Sequence, residues 1–253
     1  MNNRNENNKV IINGKCIGCQ KCVKICVSKA LEMHMNKAQV ITDNCIKCAQ
    51  CLAICPVEAI TLSGYNIKEI EELDECEYTI DPQKYLNFIK NRRSKRNFKR
   101  KLIETEKVEM LIEVGRYSPT AVNMQDVGYI IVEAEKVNEL EKLGIKASKL
   151  IDDKVNYERG YLFYNAPTVI ILTAKRQDNA IIALTNIENM ANMLGLGAVE
   201  VGRFNRIANN QEIRNYLNIK DENTTIYASI AIGYPEFYFE RNALRYEPSV
   251  RWL

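Results

Sequence analysis

The apolar positions of this chain fall into three patterns, and each predicts different structure. Short apolar pairs, Ile11-Ile12 and Val40-Ile41, stand ahead of cysteine-rich runs and read as brief strands. From residue 85 the spacing turns helical. Tyr85, Phe88 and Ile89 fall on one helical face, and Leu184, Ile187, Ala191 and Leu194 recur at the same period. The segment "FYNAPTVIILTA" (163–174) sets an Ala-Pro step ahead of a strand. No run approaches the roughly 18 consecutive apolar residues of a membrane-spanning helix. The opening "MNNRNENNKV" lacks the apolar stretch of a secretory signal. A cytoplasmic, reducing location is the expectation.

That location matters for the nine cysteines, which in a reducing compartment are not expected to form a disulfide framework. Shifted by 29 residues, the chain matches itself: Cys16, Cys19, Cys22 and Cys26 fall on Cys45, Cys48, Cys51 and Cys55. Ile17, Ile25 and Ala30 likewise fall on Ile46, Ile54 and Ala59. Each unit reads as a short strand, a cysteine-bearing loop, then a short helix ending in "ALEM" (30–33) or "AITL" (59–62).

The spacing C-x2-C-x2-C-x3-C is that of bacterial [4Fe–4S] proteins, in which the fourth cysteine ligates the other cluster. Cys16, Cys19, Cys22 and Cys55 are therefore expected to hold one cluster, and Cys45, Cys48, Cys51 and Cys26 the second. Zinc competes for C-x2-C pairs, but it favours two separated pairs over a duplicated triple plus one. The run normally ends Cys-Pro; Cys55-Pro56 obeys and Cys26-Val27 departs. The segment resembles a two-cluster bacterial ferredoxin, which implies one-electron transfer.

Composition adds bounds. At 253 residues, with 46% hydrophobic and 26% charged residues, the chain suits two unequal globular domains. The formal charge of +3 counts every cysteine as neutral. Residues 1–63 carry a surplus of four basic residues, and each oxidised cluster with its thiolates contributes about −2. The loaded domain is then near neutral, so its lysines offset cluster charge, and no nucleic-acid partner is expected. We divide the chain into residues 1–63, a linker over 64–84, and a large domain over 85–253. The linker holds the acidic run "EIEELDECE" (69–77), with Cys76 read as a plain thiol, and Pro82 ends any helix leaving that run.

Eight basic residues lie between Lys90 and Lys101. Among them Arg92, Arg93, Ser94 and Arg96 converge where a helix gives way to an extended segment, a donor set suited to an anion. This R-R-S-x-R-x-F stretch is followed by "YSPTAVNMQ" (117–125), the Ala-Pro before a strand, and "ASIAIGYPEFYFER" (228–241). In that order, residues 85–253 resemble the nitroreductase family of FMN-dependent oxidoreductases. The resemblance implies an α+β fold, a ferredoxin-like Fe–S domain fused to an FMN domain with an antiparallel-rich central sheet and flanking helices. It implies that Arg92, Arg93, Ser94 and Arg96 hold the FMN phosphate, ribityl chain and pyrimidine edge, and that Arg241 pairs with the phosphate. It implies a homodimer in which Pro119, Thr120, Ala121, Asn123 and Gln125 of one copy approach the flavin of the other. The resemblance further implies that backbone groups at Gly202 and Arg203 lie against the ring.

Two departures limit the transfer. Gln125 is followed by Asp126-Val127 where the family often has Pro-Trp, so substrate identity is not carried over. Arg203 is larger than expected; it points outward or favours an anionic substrate. The near-fingerprint "LGLGAVEVG" (194–202) is not a dinucleotide loop, because Glu200 replaces the last glycine and a helix precedes it. The single histidine, His34, reads as a surface residue and leaves the large domain without a Ser-His-Asp or Cys-His apparatus. The chemistry must therefore come from a cofactor. Electrons are expected to pass from the two clusters to FMN and on to a small organic acceptor, a nitroaromatic, quinone or activated alkene. The external donor is reduced ferredoxin or NAD(P)H. Two alternatives stand: an NAD(P)H-dependent nitroreductase with the clusters as outlet, or a non-enzymatic electron relay.

Overall fold

The computed structural model describes residues 10–72, 79–152, 158 and 160–253. Cys76 lies outside them, so its reading as a plain thiol has no structural counterpart. The chain divides into two compact units. The first takes residues 1–79 together with 122–124, and the second takes 80–121 and 125–253. The main division, between residues 79 and 80, falls within the stretch read as a linker.

In the first unit, strands β1 (Val10–Ile12), β2 (Leu31–His34), β3 (Lys37–Val40) and β4 (Ile60–Leu62) form two antiparallel pairs, β1 with β4 and β2 with β3. Helices α1 (Lys21–Ile25) and α2 (Gln50–Ala53) lie inside the cysteine runs. "ALEM" and "AITL" therefore end in strands, which corrects the helical reading. Lys29 and Glu58, both at left-handed φ, turn the chain just before each strand. β4 then finds a non-local partner in β1, whereas β2 folds back on β3, its neighbour in the chain. Met35 and Asn36, at φ of 45° and 60°, make the two-residue turn between β2 and β3, where both central residues need positive φ. His34 sits exposed at the end of β2, as expected.

The strand pairing has a consequence for the cysteines. β1 begins the first repeat and pairs with β4, which ends the second. The two repeats thus interlock around a small core of Leu31, Ala38, Ile60 and Cys22.

The second unit is built on one four-stranded sheet in the order β5 (Gly128–Glu133), β6 (Thr168–Ala174), β8 (Thr225–Gly233), β7 (Gly197–Glu200), with every neighbouring pair antiparallel. Helices cover both faces. α5 (Glu135–Lys149), α7 (Gly202–Asn205) and α8 (Gln211–Tyr216) pack on one face through Leu140, Phe204 and Ile213. α4 (Thr105–Arg116) and α6 (Gln177–Met193) pack on the other through Leu111, Ala183 and Ile187. Successive residues of β6 serve opposite cores: Val169 and Ile171 face one, Ile170 and Leu172 the other. Burial on both faces explains why the strand reads as a continuous apolar run.

Helix α3 (Pro82–Asn91) opens with proline at its first turn, where a missing N–H costs nothing, and is capped by Asp81 Oδ1 on the Lys84 N–H at 2.7 Å. Pro82 thus starts a helix. None of the residues of α3 is fully buried, and Tyr85 and Ile89 of its apolar stripe are exposed. Tyr129 on β5 lies tight over Gly115 of α4, where a β-carbon would fall 2.8 Å from its hydroxyl; burial pushes that phenol up to about 12.

Glu141 is a buried carboxylate on α5 that accepts the backbone N–H groups of Gly160, Leu162 and Phe163 at 2.9, 3.0 and 3.3 Å. It fixes the turn that leads into β6. Glu141→Ala leaves buried donors unmatched and should destabilise the second unit by about 3 kcal/mol. A lowered midpoint for that unit in urea unfolding, with the cysteine unit unaffected, is the expected result.

Candidate redox site

The eight cysteines of the repeats gather around two cavities. Cys16, Cys19, Cys22 and Cys55 line an empty volume of about 310 Å³. Cys26, Cys45, Cys48 and Cys51 line another of about 400 Å³. Three sulfurs of each set come from one run and the fourth from the other, the exchange that the spacing implies and that the interlocked strands bring about. Among the described residues, no three Cys, His, Asp or Glu side chains meet closely enough to hold a single metal ion. Sulfurs spread around a cavity suit a four-iron cluster, which presents its irons at separated corners, and do not suit one tetrahedral zinc.

The surrounding chemistry agrees. Ala30 and Ala59 donate backbone N–H groups to Cys26 Sγ and Cys55 Sγ, each at 3.3 Å, one bond in each repeat. The thiol of Cys16 is held below its ordinary value, chiefly by the backbone N–H of Ala38. At Cys26 burial raises the value, but the Ser28 hydroxyl and neighbouring backbone donors outweigh it and the net shift is downward. Burial pushes the Cys51 thiol up to about 11. A thiolate at Cys51 therefore needs cationic charge on its sulfur, which iron provides.

In the second unit, α3 ends at Asn91 and residues 92–98 run extended beside β7. Lys95 N–H donates to Ala198 O at 3.1 Å, and Phe98 forms a bridge with Pro235. Arg92, Arg93, Ser94 and Arg96 are thus presented by one extended segment. The following segment folds over it: the Arg93 guanidinium lies 4.7 Å from the Phe239 ring centroid, and Lys95 Nζ lies 5.3 Å from that of Tyr238. Arg96 faces the Tyr164 ring at 5.8 Å.

Arg92 is partly engaged. Its Nη1 donates to Glu188 Oε1 of α6 at 2.6 Å, with both side chains largely covered. Burial raises the Glu188 carboxyl above its ordinary value, although Arg92 pulls the other way. Lys95 was not singled out by motif, yet burial lowers its pKa and, among the described residues, no carboxylate lies within ion-pair distance. A half-buried cation set against a ring suits an anion brought from outside the chain.

The segment containing Pro119, Thr120 and Ala121 is pinned by α6. Asn179, almost fully buried, accepts the Ala121 N–H at 2.8 Å and donates to Asp126 at 2.6 Å. Asn186 donates to the Ser118 hydroxyl at 2.8 Å. Asp126, the departure from the family pattern, also accepts the Lys175 N–H at 2.8 Å, so this carboxylate has a structural partner set. Gln125 N–H donates to Thr120 Oγ1 at 2.9 Å. Asn123 goes elsewhere: it belongs to the cysteine unit, where its Nδ2 donates to Lys47 O at 2.7 Å.

Gly202 opens α7 with open space where a β-carbon would stand. Arg203 is exposed, with its guanidinium 4.4 Å from the Tyr161 ring centroid. Arg241 is exposed at a bend in the C-terminal segment. Tyr238, Phe239, Asn179, Asn186 and Glu188 were not marked by sequence. Only the helical register of α6 hinted at the last three, because register alone does not say which polar face is covered.

Residues 15–59 match the 4Fe–4S dicluster domain, and residues 89–234 match the Nitroreductase family. A protein of Archaeoglobus fulgidus, provisionally named NADH dehydrogenase/NAD(P)H nitroreductase, is 25% identical over 161 residues, covering 60% of this chain and 85% of its own. The structure of a Bacteroides fragilis nitroreductase with bound FMN superposes with a TM-score of 0.55 at 27% identity, over 66% of this chain and 94% of that one. An FMN-dependent nitroreductase from Clostridium difficile shares the fold, with a TM-score of 0.58 at 22% identity over 68% of this chain and all of its own. With that family match spanning more than half of its length, the chain belongs to the Nitroreductase family and carries a dicluster iron–sulfur segment ahead of the family domain.

Proposed function

We propose that this protein is an FMN-dependent oxidoreductase that passes electrons from two [4Fe–4S] clusters to FMN and on to a small organic acceptor, a nitroaromatic, quinone or activated alkene. The observation that carries this reading is the pairing, in one chain, of two four-cysteine cavities with an extended cationic segment in a Nitroreductase-family domain. The B. fragilis relative with FMN bound supports the cofactor. When bound, FMN supplies redox chemistry, in one- or two-electron steps, that these side chains lack.

The chain's own residues do the remaining work. Arg92, Arg93, Ser94 and Arg96 offer forked and hydroxyl donors for the phosphate and pyrimidine oxygens. Lys95 adds a cation whose burial strengthens its pull on an anion. Arg241 provides a further phosphate partner, and backbone groups of Gly202 and Arg203 face the ring. Pro119, Thr120, Ala121 and Gln125 contribute from a second copy in a homodimer. Asn123 is left out of this set because its amide is engaged on Lys47. Among the described residues no helix is long and apolar enough to cross a membrane.

A second reading makes NAD(P)H the donor and the clusters an outlet, and the name of the A. fulgidus relative favours it. Anaerobic reduction by NADH, NADPH or a reduced ferredoxin, followed separately at cluster and flavin absorbance, distinguishes the two. The first reading expects ferredoxin to reduce the clusters before the flavin. A nitroaromatic or activated alkene should then reoxidise both. Flavin reduction by NADPH with the clusters bypassed supports the second, and no reoxidation by any organic acceptor leaves an electron relay.

The phosphate assignment has its own test. The variant carrying Arg92→Ala and Arg241→Ala should purify without flavin, and stoichiometric flavin in it would refute the assignment. Glu188 gives a pH dependence. Its carboxyl is raised by burial, so on acidification it takes up a proton before an ordinary glutamate and releases its hold on the Arg92 charge. Glu188→Gln mimics that neutral state at every pH. It should bind FMN more tightly than the parent at neutral pH, and the two affinities should converge as acidification protonates Glu188 in the parent. Flavin fluorescence quenching reads both.

A further inference from the structure

The two cysteine runs match in backbone as well as in sequence. Gln20 and Ala49 sit at φ of 65° and 58°, and Lys29 and Glu58 at 50° and 49°. The third matching pair is Gly18 and Lys47, at 72° and 57°. In the first run this left-handed turn belongs to glycine, where a β-carbon would fall 2.3 Å from Asn36 O. In the second run it belongs to lysine, whose β-carbon disfavours the same conformation. A disfavoured turn persists when its surroundings over-determine it.

Those surroundings are specific. The Lys47 carbonyl accepts Asn123 Nδ2 at 2.7 Å and the Tyr65 hydroxyl at 3.0 Å. Asn123 Nδ2 also lies 3.4 Å from Ile46 O and 3.5 Å from the Tyr65 hydroxyl. Asn123 is itself at a φ of 55°, following Val122 at 46°, and the segment 122–124 belongs to the same unit as the cysteine loop. On the other side of the turn, the Lys47 N–H donates to Cys45 Sγ at 3.4 Å. The carbonyl clamp and the N–H bond to sulfur are thus two ends of one residue.

We propose that Asn123 and Tyr65 are positioning residues for the second cluster. By holding the Lys47 carbonyl they fix the turn that aims the Lys47 N–H at Cys45 Sγ, and so raise the reduction potential of that cluster alone. A donor on a ligand sulfur favours the reduced, more negative cluster. The first cluster needs no such clamp, because Gly18 adopts its turn freely. This inference rests on the dicluster reading of residues 15–59 and is independent of the flavin assignment.

The test is a reductive titration of the full-length, cluster-loaded protein, followed by electron paramagnetic resonance with iron counted in each sample. Tyr65→Phe and Asn123→Ala should each move the transition of one cluster to more negative potential and leave the other in place. A tenfold change in the reduction equilibrium corresponds to about 59 mV for one electron. In a Lys47→Gly background, where the turn no longer strains, the same substitutions should have little effect. Both transitions unmoved at full iron content would overturn the proposal. So would equal movement of both clusters, or an undiminished shift in the Lys47→Gly background. Should Asn123→Ala lose its iron, Tyr65→Phe, which removes a single hydroxyl, decides by the same criteria.

Discussion

The packing of helix α6 against the antiparallel sheet is the constraint on which the large unit depends. Ala180, Ala183, Leu184, Ile187 and Ala191 are all buried, and the small residues let the helix approach β6 and β8 closely. With the apolar face fixed, the polar residues of α6 have no freedom of register. Asn179 and Asn186, two helical turns apart, take hold of Ala121, Asp126 and Ser118. Glu188 takes hold of Arg92. A shift of α6 by one residue would release every one of these bonds. The arrangement of the cationic segment is therefore set by apolar burial some distance from it.

The cysteine unit solves a different problem. Its core is small, and five of the thirteen residues packed into it or against it are cysteines of the repeats, Cys16, Cys22, Cys26, Cys51 and Cys55. Pairing β1 with β4 and β2 with β3 weaves the two repeats together, so neither can complete its four-sulfur cavity alone. A cluster held across both repeats would couple the folding of this unit to its assembly, as for other metal-supported small domains. The duplicated left-handed positions show how little backbone variation the arrangement tolerates. The one left-handed pair in which a glycine faces a residue with a β-carbon, Gly18 against Lys47, is also the place where donors from beyond the repeats enter.

Departures from the family pattern find physical uses in the structure. Asp126 stands where the family often has proline, and its carboxylate ties the preceding loop to Asn179 and to Lys175 N–H. Arg203 stacks on Tyr161 at the surface. Asn123, expected from the motif at a flavin, spends its amide on a cysteine loop. Motif membership places a residue on a loop; the partner it finds depends on what the fold brings there.

The sequence by itself determined the duplication, the cysteine spacing, the exchange of the fourth sulfur, the helical face of α6 and the cationic segment from Arg92 to Arg96. Each of these is a local regularity, carried by ligand spacing, helical period or clustering of charge within a few residues. Only the structure decided that "ALEM" and "AITL" end in strands: β4 takes its partner β1 from the other end of the unit, and β2 meets β3 through the left-handed turn at Met35 and Asn36. It alone joined Arg92 to Glu188 across 96 positions and Asn123 to Lys47 across 76. Such pairs leave no periodic trace, since a hydrogen bond between distant residues needs only one matching group at each end, and the closure of the intervening chain is supplied by burial elsewhere.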